Sequence, residues 1–292
     1  MLASRSSDVR CRLIAEADLG EAAACLARGF PERSNAYWVG ALSRMAGRET
    51  IGDCPRFGYL MEASGRVVGV LLLIYSRRVV GQASEIRCNL SSWCVDPPYR
   101  GYALALHTNG VRRKEVTYTN LTAAPHTRAG LEAMGFRRFS DGLFVFAPIL
   151  SRSRRGTRVV AYADDAPEAA LLGADERTIL AEHAAFGCRA LIGVDGDRAM
   201  GLVLQSRPLH HRRLACERLI YCRDIGELPA FAGAVGRYLL RRGIFLCLID
   251  ASGPLPGLVG KFLANREPKY FKGPDAPALG DLAYSELAVL GL

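Results

Sequence analysis

Long apolar runs are missing from this chain. The longest in its 292 residues, Val67 to Tyr75, has nine and is interrupted by Gly69, well short of the ~18 that suggest a bilayer span. The opening stretch MLASRSSDVRCRLIAEADL has no apolar core of a secretory signal, so a cytoplasmic location is expected. The nine cysteines are odd in number and form no C-x-x-C pair, which argues against a disulfide framework and a zinc ribbon. Several sit inside apolar runs, where a thiol behaves as a small hydrophobe. Lysine is scarce as well. Only Lys114, Lys261, Lys269 and Lys272 accompany the arginines, and the formal charge of +9 is spread over both halves of the chain. That pattern reads as a mildly basic solvated surface rather than a nucleic-acid footprint.

What is present describes a folded chain: half the residues are apolar and 23% are charged. The length is about twice a common domain of ~150 residues. The most breakable stretch is Ser151 to Arg158, basic and polar with one glycine, and it divides the chain into 1–150 and 151–292. The two parts share a pattern. Gly58 to Leu72 and Arg189 to Leu204 each read as an apolar strand, a turn carrying Gly65 or Gly196, and a second apolar strand. A strand follows in each (86–95; 215–222), then a helix (99–114; 227–242), a compact strand (116–123; 244–249) and another helix (126–134; 255–264), the first of these ending at Gly135. The expected class is therefore α/β (α+β), with a mixed central sheet flanked by helices in each part. An unrelated pair of α/β domains would give the same coarse order.

The sharpest local feature is Ser92-Trp-Cys-Val-Asp-Pro-Pro-Tyr-Arg-Gly-Tyr-Ala-Leu-Ala-Leu. Pro97 and Pro98 stop a strand and start a helix at once. Small residues at Gly101, Ala103 and Ala105 let a bulky group approach the backbone, and the first N–H groups of the helix point outward at the positive end of its dipole. Such a turn can hold a phosphate.

This segment resembles the acyl-CoA-binding motif of the GNAT superfamily of N-acyltransferases, V-x-P-x-x-[RQ]-G-x-G-x-[GA], and Ala124 to Phe136 is similar to the later helix of that fold, which commonly ends in Gly-Phe. The resemblance covers about residues 9 to 148 by motif and the second half by element order only, which implies tandem GNAT-like domains, as in mycothiol synthase-like acyltransferases. It implies acetyl-CoA or another acyl-CoA as co-substrate, no metal, an amine acceptor and direct attack on the thioester. Carried over by position, Trp93, Cys94 and Val95 hold the pantetheine arm, and the amides of Arg100, Gly101, Tyr102, Ala103, Leu104 and Ala105 surround the pyrophosphate.

The sequence departs from the pattern at two places. Ala103 replaces the usual glycine in the loop. Leu131 stands where a tyrosine often protonates the leaving thiolate, and leucine donates no proton. The usual base position falls near Asn89, which is no base, while Glu85 shares its strand face by parity and could act through water; the alternative is a solvated strand-end glutamate. Cys94 reads better as a buried strand thiol than as a nucleophile. Tyr99 fits turn packing and His126 a helix start. Tyr37 and Trp38, in a helix expected over 34–46, offer an aromatic wall for the acceptor or belong to the core.

The second half lacks the cradle: Cys222-Arg-Asp-Ile-Gly-Glu-Leu-Pro carries Asp224 and Glu227 at its helix start, where carboxylates repel a pyrophosphate. His210 and His211 point to opposite faces of a strand, and a basic hairpin loop fits them better than a metal site. Lys269 to Pro274 reads as a loop before the last strands. Besides an acyltransferase, two readings stay open: a non-catalytic acyl-CoA-binding protein, favoured by Leu131 and Ala103, and a transferase fed by aminoacyl-tRNA, against which the cradle at 100–105 argues.

Overall fold

The computed structural model describes residues 9–80, 83–207 and 215–291; His210 and His211 lie outside them. The chain divides into two compact units, one of residues 1–120 with 273–275 and 289–291, the other of 121–272 with 276–288 and 292.

In the first unit β1 (Arg10–Leu13) is followed by α1 (Leu19–Gly29), α2 (Asn35–Ala46), β2 (Gly58–Ala63), β3 (Arg66–Val80), β4 (Ala83–Val95), α3 (Ala103–Gly110) and β5 (Val116–Asn120). The strands lie in chain order, antiparallel from β1 to β4, with β5 parallel to β4. Local chemistry accounts for the joints. Ser34 caps α2 by accepting a hydrogen bond from the Tyr37 amide at 3.2 Å. Ser64 and Gly65, both at positive φ, make the two-residue turn that sets the β2–β3 register. Gly110 lets α3 press on β3, for a Cβ there would lie 2.7 Å from Leu71 Cδ2. The core gathers Leu26, Trp38, Leu42, Met45, Leu60, Leu71 and Leu73, all buried.

The second unit holds α4 (Arg128–Ala133), β6 (Arg137–Phe146), β7 (Arg158–Ala161), α5 (Ala174–Ala185), β8 (Arg189–Asp195), β9 (Arg198–Ser206), β10 (Cys216–Cys222), α6 (Leu228–Leu240), β11 (Leu246–Ala251) and β12 (Gly260–Lys272). Its strand order is β12-β6-β11-β10-β9-β8-β7. Strands β7 to β10 are antiparallel neighbours and β11 is parallel to β10, the same directions as β1 to β5. Residues 151–158, expected as a connector, are laid on α6: Gly233 and Gly236 bring that helix so close that a Cβ would fall 2.7 Å from Ser151 O and 2.2 Å from Ile149 N.

Two expectations give way here. The helix expected over 255–264 is absent, because Pro256 and Gly257 (φ +84°) break the local pattern and Gly260–Ala264 pair antiparallel with β6. Lys269 is no loop residue either: it sits in β12 opposite Ser140 with its side chain wholly buried. In both places pairing with a distant strand outweighs local propensity.

Candidate functional site

The parallel pairing of β4 with β5 runs from Ile86↔Val116 to Asn89↔Thr119 and ends there, while β4 continues through Leu90 to Val95. The two strands fork at that point. Asn89 pins it, donating from Nδ2 to Thr119 O at 3.3 Å and Leu90 O at 3.4 Å. On its other side β4 remains paired with β3, but three steps along β4 from Ser91 to Cys94 answer two along β3 from Leu72 to Val70. This is a β-bulge, and Ser92 sits in it at φ +51°, a left-handed conformation that a serine adopts only at a cost. Among the described residues no backbone group pairs with Leu90–Val95 on the β5 side. A row of donors and acceptors is left for water or a ligand.

The strand then turns where the prolines require. The Asp96 amide donates to Val68 O at 2.7 Å, the Tyr99 amide to Asp96 O at 2.9 Å, and a 3-10 turn over Pro97–Tyr102 leads into α3. Arg100, Gly101, Tyr102, Leu104 and Ala105 are exposed and Ala103 is half-buried. A Cβ at Gly101 would meet nothing within 4 Å, so the approach over that peptide is open. The nearby carboxylate of Asp96 is answered by Arg28 at 2.9 Å. Trp93 stacks obliquely on His107, ring centroids 5.2 Å apart. Cys94 lies against α1 with Sγ 3.9 Å from Cys25 O, and the Cys25 thiol and burial push its pKa up, which leaves a thiol rather than a thiolate.

The sheet face around the fork is polar although enclosed. Ser76, Asn89, Thr117 and Thr119 are buried, and Arg87 and Glu85 share their face by register. Thr117 Oγ1 has no hydrogen-bond partner among the described residues. The opposite face carries Tyr75, Cys88 and Tyr118 in one row, and burial first of all pushes the Tyr118 phenol up to about 12. The alternation is written in the sequence, in Glu85-Ile-Arg87-Cys-Asn89 and Thr117-Tyr-Thr119, but of these only the shared face of Glu85 and Asn89 was read from it, and local sequence does not show that the polar members are enclosed. Glu85 is bound to Arg87 at 2.5 Å. It stands four residues before the last β4–β5 pair, about 13 Å along the strand at ~3.3 Å per residue, so the fold sets it apart from the fork.

The remaining candidates are placed as follows. Trp38 is 1% exposed in the core, against Phe30 and Tyr37. Tyr37 is half-buried; its hydroxyl donates to Leu290 O at 2.8 Å and Arg33 lies over its ring. In the second unit Leu131 is buried where α4 ends. The Phe136 amide reaches back to Leu131 O, the Gly135 amide to Glu132 O, and Gly135 takes φ +85°; Leu131 and Phe136 are both buried. His126 is exposed in the preceding turn.

The corresponding fork in the second unit is filled. Parallel pairing of β10 with β11 stops at Arg218↔Leu248, but the continuing edge of β10 is taken by residues 280–282: the Cys222 amide donates to Gly280 O at 2.9 Å and the Leu282 amide to Ile220 O at 2.8 Å. At the following turn Asp224 Oδ1 accepts the Gly226 amide at 2.7 Å, and Glu227 is held by Arg198 and Arg223. The amide is already used and the charge is wrong for an anion.

No family model and no curated protein matches the sequence. Solved structures match by fold. A GCN5-related N-acetyltransferase of Anabaena variabilis aligns with a TM-score of 0.61 at 9% identity, over 90% of this chain and 72% of that one. A GCN5-related N-acetyltransferase of Kribbella flavida gives 0.57 at 14%, over 91% and 71%, and a protein of Mycobacterium abscessus named Eis1 gives 0.52 at 14%, over 90% and 73%. The fold of this chain is the GNAT fold.

Proposed function

We propose that the chain is an acyl-CoA-dependent N-acyltransferase whose co-substrate site lies in the first unit, the second unit being a tandem GNAT-like domain without one. The observation that carries this reading is the unpaired edge of β4 beyond the Asn89↔Thr119 fork, continuous with an open turn at Gly101. The residues fit the group: backbone of Trp93, Cys94 and Val95 would receive an extended amide-bearing arm, and the amides of Arg100 to Ala105, with the Arg100 guanidinium, a pyrophosphate. Acyl-CoA would supply an activated thioester. The chain's own part is to hold that arm against β4, to keep Asp96 neutralised through Arg28 and to present an uncharged amine on the polar face. Glu85 suits a positioning role, fixing Arg87 on that face, better than direct proton transfer. Leu131 leaves the thiolate to take its proton from water, which is tolerable for a thiol of pKa near ~8.5.

Calorimetry with acetyl-CoA on the full chain, together with thiol release in the presence of amine libraries, tests this. Saturable binding by the parent is expected, with Gly101→Glu weakening it at least tenfold, about 1.4 kcal/mol or more, by like charge and a blocked approach. Unchanged affinity in Gly101→Glu would remove the pyrophosphate from that turn. Binding without turnover for every donor and acceptor would favour the non-catalytic reading, for which the buried Leu131 speaks.

A further inference from the structure

The second unit contains a cavity of about 470 Å3 walled by Thr122, Arg128, Arg207, Asn265, Arg266 and Glu267, a size suited to a small molecule. It owes its shape to a distortion of β12. Five steps along that strand, Ala264 to Lys269, answer two along β6, Gly142 to Ser140. The surplus loops outward, with Asn265 at φ +59° and Glu267 at φ +50°. Backbone held in this region by non-glycine residues needs firm support.

The support is a cluster of buried charge. Glu267 Oε2 accepts from Arg218 Nη2 at 2.6 Å, with Arg207 at 3.5 Å and Lys269 at 3.8 Å from its carboxylate. Asp250 faces both inner cations, 3.8 Å from Arg218 and 3.6 Å from Lys269. Arg218 is 1% exposed, and its Nε and Nη1 have no hydrogen-bond partner among the described residues. Glu286 adds a third carboxylate behind the wall, accepting from Thr122 Oγ1 at 2.8 Å. Among the described residues, five cations therefore stand against three carboxylates. Neither Arg128 nor Arg266 has a carboxylate partner among the described residues, and both face the cavity. A half-satisfied buried arginine behind a surplus of guanidinium groups is poor economy for stability alone.

We propose that this cavity is a binding site for a small molecule bearing an anionic oxygen group, carboxylate or phosphate, received by Arg128, Arg207 and Arg266, with Glu267 tying the site to Arg218 beneath it. The site stands on residues of the second unit alone and is independent of the acyl-CoA reading. Planar guanidinium forks suit either oxyanion, and several of them converging give a geometry that one surface arginine lacks.

The test is calorimetric titration of the full chain at low ionic strength with citrate and, separately, with inorganic pyrophosphate. Saturable binding of at least one probe is expected, weakened about tenfold or more by Arg266→Gln and by Arg128→Gln and falling as salt is added. Arg266 is exposed, so Arg266→Gln should melt with the parent, and Arg266→Lys should recover only part of the affinity. Citrate binding alone assigns a carboxylate ligand, pyrophosphate binding alone a phosphate. Gly101→Glu separates this site from the turn of the first unit, because binding here should survive it. No saturable binding of either probe at millimolar concentration, binding unchanged in both glutamine variants, or binding lost in Gly101→Glu would overturn the proposal.

Discussion

Replacing Glu267 by glutamine should make the protein less stable at neutral pH and less sensitive to acid. Burial alone would raise the Glu267 pKa, but Arg218, Lys269 and Arg207 outweigh it and bring it from the ordinary 4.5 down to about 2. A carboxylate depressed in the folded state stabilises fully above its unfolded value, and that contribution fades as pH falls from about 4.5 towards 2. Since each tenfold change in proton affinity is worth about 1.4 kcal/mol, the contribution at pH 7 is on the order of 3 kcal/mol, of which about half to two-thirds is gone by pH 3. Burial also holds the Glu176 and Glu217 pKa values up, which acts in the opposite sense on the total. Their effect cancels in the difference between parent and Glu267→Gln. Urea unfolding followed by far-UV circular dichroism at pH 7, 5, 4 and 3 measures that difference. It should be largest and flat between pH 7 and 5 and shrink steadily below 4.5. A difference that stays constant from pH 7 to 3 would mean that the carboxylate is not held by the buried cations, and the electrostatic account of the β12 bulge would fail with it.

Three further outcomes follow from the packing. Under the proposed function, Glu85→Gln should leave turnover within about threefold, because the side chain is engaged with Arg87 and stands away from the fork; a loss in the general-base range of about 10²-fold or more in steady-state turnover would restore it as the proton acceptor. Leu131→Tyr should lower thermal stability by roughly 1–3 kcal/mol through overpacking at the end of α4 without raising turnover, and a faster enzyme would show that a tyrosine there reaches the thiolate. Gly29→Ala should destabilise by about 1–3 kcal/mol, since its Cβ would fall 2.5 Å from Cys94 Cβ; chemical denaturation of the double variant with Cys94→Gly should recover part of the loss.

Features written into neighbouring residues were legible in the sequence, and features assembled from distant strands were not. The hairpins at Gly65 and Gly196 and the stop at Gly135 each depend on a residue that takes positive φ inside a short pattern, and the turn at Asp96 to Tyr102 on two adjacent prolines. All of these appear where the sequence placed them. Strand β12 did not, because both its halves are held by β6, more than a hundred residues earlier, and its bulge exists only against that partner. The cluster of Arg218, Asp250, Glu267 and Lys269 was missed for the same reason. Its one signal was charge inside two otherwise apolar strands, Glu217 and Arg218 in Cys-Glu-Arg-Leu-Ile-Tyr-Cys and Asp250 in Leu-Cys-Leu-Ile-Asp-Ala, a pattern that buried charge needs a partner to sustain. Trp38 illustrates the ambiguity of aromatic residues at helical spacing: wall and core look alike until the neighbours are known, and here the neighbours enclose it.

The two units show how one strand arrangement can keep or lose a ligand edge. In each, a strand pairs in parallel with its neighbour for a few residues and then continues alone. A backbone edge left in this way needs hydrogen bonds from somewhere. In the second unit the chain answers itself: residues 280–282 add to β10 through two backbone bonds and the Tyr221↔Asp281 bridge, and Gly280 fits there because a Cβ would fall 2.8 Å from Cys222 Sγ. Asp224 then occupies the Gly226 amide at the turn that follows. Opening this edge to a ligand would break those bonds and bring a carboxylate against any phosphate, so two independent obstacles stand in one place. Among the described residues the β4 edge has neither obstacle, since Arg28 neutralises Asp96 and a Cβ at Gly101 would meet nothing within 4 Å. The difference between the units is thus one of hydrogen-bond supply and local charge at equivalent edges, and the proposal of an acyl-CoA site in the first unit rests on it.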